Sequence, residues 1–165
     1  MAEIILDKMS TGRLLKLFAD IIETLYRRRV IRTSNNPAAD YAEYLVCRTL
    51  NLERAGASEK GHDATDRKGQ KYEIKARRMT PHNKPTRFSA IRQLDEHHFD
   101  YLVAVLFEND FKVSRASIIP YDEVERVAFW QQHVNAHIMP ISDTIWELAS
   151  AKDITNKLNE GSRNL

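Results

Sequence analysis

The residues of this 165-residue chain with the clearest chemical potential are two carboxylates and an amine: Asp63, Glu73 and Lys75. Polar and apolar residues alternate over 71–76, which predicts a half-buried strand with Glu73 and Lys75 on one face. Residues 66–70 have the composition of a turn, and a hairpin centred on that turn places Asp63 opposite Glu73 on the neighbouring strand. Two acids and an amine would then share one small volume.

Two carboxylates held this close repel each other unless a cation or a shared proton relieves the repulsion. They therefore indicate a metal site or an acid/base pair, and oxygen ligands favour Mg²⁺, with Mn²⁺ as the alternative ion. Asp66 competes with Asp63 for the role of partner to Glu73. Geometry favours Asp63, because in this hairpin it lies opposite Glu73, whereas Asp66 lies close to the turn. Asp66 also has a local explanation, since an aspartate at the start of a turn accepts hydrogen bonds from the main chain two residues on.

The pattern Asp63-x9-Glu73-x-Lys75, with the apolar Ile74 between acid and lysine, resembles the PD-(D/E)XK nuclease superfamily. The sequence departs from the family motif in having His62 before the aspartate, where many members have proline. The resemblance implies metal-dependent phosphodiester hydrolysis of nucleic acid, with endonucleolytic cleavage of DNA as the expected activity. Asp63, Glu73 and the main-chain carbonyl of Ile74 would hold one or two Mg²⁺ ions. Lys75 would orient the attacking water, as base or as cation.

A helix is predicted from residue 38 to about residue 50, after the start signal Asn36-Pro37. In the PD-(D/E)XK superfamily, a glutamate on the helix before the core sheet often assists metal binding, and Glu43 matches it by position. The alternative is that Glu43 is a surface acid in an exposed stripe. Asp40 has a simpler explanation, because a carboxylate is favourable at the positive end of a helix.

Basic residues are concentrated next to the proposed site. Residues 68–92 carry eight bases and one acid, Glu73, whereas residues 93–165 carry twelve acids and six bases. A solvated basic face is the alternative interpretation, but adjacency to the carboxylates favours a surface that holds a phosphate backbone. The loop over 79–87 is rich in groups that bind phosphates and base edges. The predicted nucleic-acid-binding residues are Lys71, Arg77, Arg78, His82, Asn83, Lys84 and Arg87.

Hydrophobic patterns predict the elements around this site. Helical spacing over 11–32 indicates an amphipathic helix, and residues 89–98 and 121–130 are interpreted as two further helices. The continuous apolar run over 101–107 is typical of a strand buried on both faces. Residues 111–119 then follow as its antiparallel partner.

The order of these elements matches the αβββαβ core that the resemblance implies. The predicted fold is therefore α/β with a mixed sheet, restriction-endonuclease-like, in one domain. Its core spans 37–119, preceded by the added N-terminal helix. The C-terminal extension, 120–165, is predicted to contain a strand at 136–141 and a helix from Thr144 onward.

Two other functions are compatible with the sequence. The chain could be a catalytically inactive nucleic-acid-binding or assembly module that retains the nuclease fold. It could also be a partner protein of a restriction or defence system that docks through its acidic C-terminal part. Cleavage of both strands of a duplex would require a homodimer, because one domain of this size offers one site.

Other classes of protein are disfavoured. No segment approaches the ~20 apolar residues of a membrane span. The single cysteine, Cys47, lies in an apolar helical pattern, so it is interpreted as a small buried residue of a protein in a reducing compartment. We therefore expect a cytoplasmic protein without membrane contact. His133 and His137 have a spacing that could bind zinc from one helix face, but the sequence offers no third ligand nearby.

Overall fold

A computed structural model of the chain describes residues 5–56, 59, 61–163 and 165. The strands are β1 Glu53–Arg54, β2 Ala64–Thr65, β3 Lys71–Arg78, β4 Tyr101–Phe107, β5 Val113–Pro120, β6 Phe129–Gln131, β7 Ala136–Ile138 and β8 Lys152–Asp153. The α-helices are α1 Thr11–Arg27, α2 Ala38–Leu50, α3 Tyr121–Val127, α4 Asp143–Trp146 and α5 Thr155–Ser162. Short 3₁₀ turns occupy Leu6–Lys8, Leu94–Glu96 and Gln132–Val134.

Six strands form one mixed sheet in the order β1-β2-β3-β4-β5-β8. β3 and β4 are parallel, and the other neighbouring pairs are antiparallel. β4 is buried on both faces, as its continuous apolar sequence predicts. Val103 and Val105 pack with α2 and α5 on one face. Leu102 and Ala104 pack on the other face with α3, α4 and the segment 88–99. The fold is thus mixed α/β and consistent with the predicted restriction-endonuclease-like class.

The bounds predicted for α2 are confirmed. The Oδ1 atom of Asn36 accepts a hydrogen bond from the N–H of Ala38 at 3.1 Å, which satisfies one of the free donors at the helix start. Asn51 ends the helix in the left-handed conformation, with a φ of 57°. Asp40, in the first turn, also accepts hydrogen bonds at 3.0 Å from the N–H groups of Arg32 and Thr33, so it fixes the chain that leads into α2.

α1 is amphipathic, as predicted, but it ends at Arg27 rather than near Arg32. The chain reverses at Arg29, whose φ is 58°, so the amide of Val30 bonds back to the carbonyl of Leu25 at 3.0 Å. None of the residues of α1 is buried. Its apolar stripe is instead largely solvent-exposed, at Leu14, Leu15, Phe18, Ile21 and Tyr26.

The prediction of a helix over 89–98 is wrong. The 3₁₀ turn Leu94–Glu96 is the helical structure in that range. Long-range pairing explains the difference, because Phe88 and Ile91 donate main-chain hydrogen bonds to the carbonyls of Met139 and His137, at 3.0 and 2.8 Å. The crossover between β3 and β4 is therefore irregular, with isolated extended residues and one 3₁₀ turn.

Three predictions in the C-terminal extension need correction. α3 ends at Val127, because the next residues enter β6 and pair with β7. The predicted strand at 136–141 is shortened to β7 and belongs to this separate two-stranded ribbon. The predicted terminal helix from Thr144 is split into α4 and α5 by β8, which adds an edge strand to the main sheet beside β5. None of the helices in the described ranges has the length and apolar character needed to cross a membrane.

Candidate active site

The β2–β3 hairpin has the register that a turn centred on Lys68 predicts. Ala64 is paired with Tyr72 and Thr65 with Lys71, and Asp63 is the residue that precedes this paired segment. The N–H of Asp63 donates to the carbonyl of Tyr72 at 2.8 Å. Its Oδ2 atom accepts the N–H of Ile74 at 2.7 Å. Asp63 is therefore anchored to the residues on both sides of Glu73.

Asp66 has the local function predicted for it. Its Oδ1 atom accepts hydrogen bonds from the N–H groups of Lys68 and Gln70, at 2.8 and 2.9 Å. Gly69 has a φ of 82°, a conformation that glycine adopts without the steric penalty of a side chain. These contacts close the turn and so set the register of the two strands.

Glu73 and Lys75 lie on one face of β3 and form an ion pair, with 2.5 Å between Oε1 and Nζ. Their side chains are only 13% and 15% exposed. Alternation along β3 directs Ile74 and Ala76 to the opposite face, where they join the core beneath α2. The same period-2 pattern thus buries one set of residues and presents the charged pair.

The electrostatics of the pair depend on Asp63. Burial, and then the charge of Glu73, raise the pKa of Asp63 to about 6, although the N–H of Ile74, Lys75 and His62 act in the opposite direction. A carboxyl group with such a pKa is held where its ionised form is disfavoured. A further cation at this position would favour the ionised form.

Asp63, Glu73 and Lys75 line one cavity of about 560 Å³. The segment 90–93 forms another wall of it, together with His62 and His98. The sequence does not predict Arg92 and His98 as site residues. Arg92 belongs to the basic run, but its place in the cavity follows from the extended path of a segment predicted to be helical.

Glu43 lies near this cavity and is held by Arg54. Its Oε2 atom accepts hydrogen bonds from Nη2 and Nε of Arg54, at 2.8 and 3.0 Å. Burial first, and then the charge of Asp63, raise the pKa of Glu43. Glu43 shares a smaller cavity of about 320 Å³ with Asp63 and His62. The structure thus brings Glu43 close to the carboxylate pair, as a partner of Arg54.

Five of the predicted nucleic-acid-binding residues line a second cavity, of about 550 Å³, to which the start of α2 also contributes. They are Arg77, Arg78, Asn83, Lys84 and Arg87. Arg77 is held by a hydrogen bond from Nε to the carbonyl of Arg87 at 3.1 Å, and the guanidinium of Arg78 lies 4.5 Å from the ring centre of Phe111. We call this the basic cavity.

The other two predicted nucleic-acid-binding residues lie apart from the basic cavity. His82 is exposed in the preceding loop, outside the lining of the cavity. Lys71 begins β3, at the end of the strand away from Arg77 and Arg78, where its N–H donates to Asp100 at 2.8 Å. Their contact with nucleic acid stays a prediction.

Two other chemical groups show no sign of a catalytic function. Burial raises the pKa of the Cys47 thiol to about 11, which disfavours the nucleophilic thiolate. His133 lies in a 3₁₀ turn and His137 in β7, so they do not share a helix face. Within the described ranges, no three His, Cys, Asp or Glu side chains are grouped so that they could hold a metal ion together.

A family model described as PD-(D/E)XK nuclease superfamily domain matches residues 30–138 of the chain. The matched range contains Asp63, Glu73 and Lys75, and it excludes α1. The chain therefore belongs to the PD-(D/E)XK nuclease superfamily. Members of this superfamily are generally nucleases, and they typically use divalent metal ions. None of the curated proteins matches the chain.

Proposed function

We propose that this protein is a Mg²⁺-dependent endonuclease that hydrolyses phosphodiester bonds of DNA in the cavity lined by Asp63, Glu73 and Lys75. The observation that carries the proposal is the placement of Asp63 and Glu73 beside the ammonium of Lys75, across the β2–β3 hairpin. The match to a nuclease superfamily over the same residues supports it.

The donor set fits a hard divalent cation. Asp63 and Glu73 supply carboxylate oxygens, the ligands that Mg²⁺ prefers. The N–H of Ile74 points toward Asp63. Because the N–H and C=O of one residue in a strand point to the same edge, the carbonyl of Ile74 is directed to that side as well. Burial, and then the charge of Glu73, raise the pKa of Asp63 even though Lys75 acts in the opposite direction, so a bound cation would favour the ionised carboxylate.

A bound Mg²⁺ would polarise the scissile phosphate and lower the pKa of a coordinated water. Asp63 and Glu73 would hold the ion together with the carbonyl of Ile74. Lys75, whose ammonium forms an ion pair with Glu73, is placed to stabilise negative charge that develops on the phosphate. This supports the role of cation for Lys75 over the role of base. Glu43 as an additional ligand stays a prediction, because its Oε2 atom is held by Arg54.

The basic cavity supports a nucleic acid as the substrate. Arg77 lies two residues beyond Lys75 on the same face of β3, so its cation follows the proposed cleavage site along the strand. Lys84 and Arg87 add further positive charge in the loop that lines the basic cavity. Cations in such a row contact phosphates without reading sequence.

The proposal is tested by incubating the purified protein with circular and linear DNA and with RNA, with Mg²⁺ and with a chelator. We expect internal cleavage of DNA that requires the metal and is abolished in Glu73→Gln. Binding of DNA with no cleavage in Mg²⁺ or Mn²⁺ would support the inactive binding module instead. Faster cleavage of RNA than of DNA would overturn the substrate assignment, and gel filtration would report whether the active species is a homodimer.

A further inference from the structure

The ribbon formed by β6 and β7 carries two exposed aromatic residues, Phe129 and Trp130, which are 47% and 53% exposed. Neighbouring residues on a strand point to opposite faces, so the two rings are on different sides of the ribbon. Trp130 lies edge-on to His137, with 5.2 Å between ring centres, and Phe129 is paired with Ile138.

The ribbon is joined to the segment that lines the cavity of Asp63 and Glu73. Trp130 is paired with His137, and His137 is paired in turn with Ile91 through two main-chain hydrogen bonds, of 2.8 and 3.1 Å. Directly paired residues project to the same face, so these three side chains form a row across three extended segments. Ile91 lines the cavity of Asp63 and Glu73. Two strand spacings, about 10 Å, separate it from Trp130.

The ribbon is also tied to the basic cavity. The Nη1 atom of Arg87 donates to Oε1 of Gln131, the residue after Trp130, at 3.2 Å. The N–H of Ile141 donates to the carbonyl of Thr86 at 2.8 Å. The basic cavity thus lies at one end of segment 86–91, and the cavity of Asp63 and Glu73 lies at the other end. The ribbon is hydrogen-bonded to this segment through His137.

We propose that Trp130 is a stacking residue for an unpaired nucleobase, so that the preferred substrate has a single-stranded segment beside the cleavage site. This inference rests on the proposed function, because it places a strand of nucleic acid in the cavity. An indole ring offers an apolar face to any base, and the cations of the basic cavity hold the adjoining phosphates. In a duplex the faces of the bases are covered by their neighbours, so a ring at this position gains little from paired DNA.

The experiment measures binding by fluorescence anisotropy in the presence of a chelator, so no cleavage is needed. The probes are a single-stranded oligonucleotide of about 12 nucleotides and the duplex of the same length. The variants are Trp130→Leu, Trp130→Phe and the matched control Phe129→Leu, which removes a similarly exposed ring from the other face of the same strand. Leucine keeps an apolar side chain and removes the stacking surface.

We expect Trp130→Leu to weaken binding of the single strand about tenfold and to leave duplex binding unchanged. Trp130→Phe should retain most of the affinity, and Phe129→Leu should match the unsubstituted protein. The salt dependence of binding should be unaltered in Trp130→Leu, because no charge is removed, whereas Arg87→Ala should reduce its slope by about one.

Equal loss of single-strand and duplex binding in Trp130→Leu would overturn the stacking role, and so would unchanged single-strand binding. If Trp130→Leu retained full binding of nucleic acid but lost binding of a protein in a capture assay, the surface would be assigned to a protein partner. If Trp130→Leu lost single-strand binding as expected but the unsubstituted protein showed no metal-dependent cleavage, the proposed function would be overturned. Trp130 would then remain a base-binding residue. Metal-dependent cleavage, combined with normal single-strand binding by Trp130→Leu, would overturn the stacking role of Trp130 and leave the proposed function intact.

Discussion

The ammonium of Lys75 lies 2.5 Å from Oε1 of Glu73, while Asp63 occupies the adjacent position across the hairpin. Glu73 is thus between a cation that it neutralises and an anion that it repels. Any substitution at Glu73 changes both relationships. Removing the whole side chain would leave a largely buried ammonium without its carboxylate, so an isosteric amide is the better test of function.

We predict that Glu73→Gln lowers the cleavage rate by more than about 100-fold, a size typical of losing a group that acts on the transition state. The amide keeps an oxygen toward Lys75, so the fold should persist. Turnover of a defined oligonucleotide gives the rate, and circular dichroism checks the fold. A folded variant with unaltered turnover would exclude Glu73 from the active site.

Stability should depend on pH through Asp63. Its pKa is about 6 in the folded protein against an ordinary value of 3.8, so between these pH values the folded state holds a proton that the unfolded state has released. The free energy of unfolding therefore falls as pH rises from about 4 to about 6, by at most ~3 kcal/mol. Asp63→Asn cannot titrate and should lack this loss.

The measurement is urea denaturation of both proteins across that pH range, because the difference between them isolates Asp63 from the other acids. The asparagine oxygen can still accept the N–H of Ile74, so the hairpin should be retained. A difference in stability that stays constant with pH would show that Asp63 has an ordinary pKa.

Metal binding should distinguish Asp63 from Asp66. We expect Asp63→Asn to eliminate Mg²⁺ binding in calorimetry, whereas Asp66→Asn should retain it. Asp66 serves the turn through hydrogen bonds to Lys68 and Gln70, so its substitution should cost at most about 1 kcal/mol of stability. Loss of Mg²⁺ binding in Asp66→Asn alone would transfer the metal site toward the turn.

The basic cavity should control how DNA binding depends on salt. We predict that Arg77→Ala combined with Lys84→Ala weakens binding and lowers the salt slope by about one for each phosphate that is no longer neutralised. Lys152→Ala is the control, since it removes one positive charge from β8, at the opposite edge of the sheet. Equal slopes in the double variant and the control would place the DNA on another surface.

Arg54 should contribute strongly to stability. Its side chain is 15% exposed and contacts Glu43 at 2.8 Å and Asp40 at 3.6 Å. Arg54→Met leaves two largely buried carboxylates without their cation, and we expect it to lower the free energy of unfolding by about 3 kcal/mol. Adding Glu43→Gln should recover part of that loss in a double-mutant cycle. Additive effects of the two substitutions would show that the ion pair is not coupled.

The parts of the fold that depend on neighbouring residues were predictable from the sequence. Asn36 marks the start of α2, and the turn at Asp66 fixes which residue stands beside Glu73. Both signals act within a few residues, where side-chain to main-chain hydrogen bonds decide the structure. The register of the hairpin followed from this local chemistry.

The elements that depend on distant partners were not predictable. Ile91 is extended because it pairs with His137, and β6 replaces the end of a predicted helix because β7 accepts it. Such pairing overrides local preference and leaves no periodic signal in a single sequence. The position of Arg92 in the cavity lined by Asp63 and Glu73 depends on the same pairing. Helical periodicity likewise identified α1 without revealing that its apolar stripe is exposed.

β3 has neighbours at very different distances along the chain, and this has a consequence for the order of folding. Its pairing with β2 closes a loop of residues 66–70, whereas its parallel pairing with β4 closes a longer loop of residues 79–100. Short loops close at a lower entropic cost and faster than long ones. We therefore expect the hairpin that brings Asp63 beside Glu73 to form before β4 docks, while water still screens the two charges. Their repulsion should grow when β4 docks and water leaves, so the two charges would oppose the burial of this cavity rather than the closing of the hairpin.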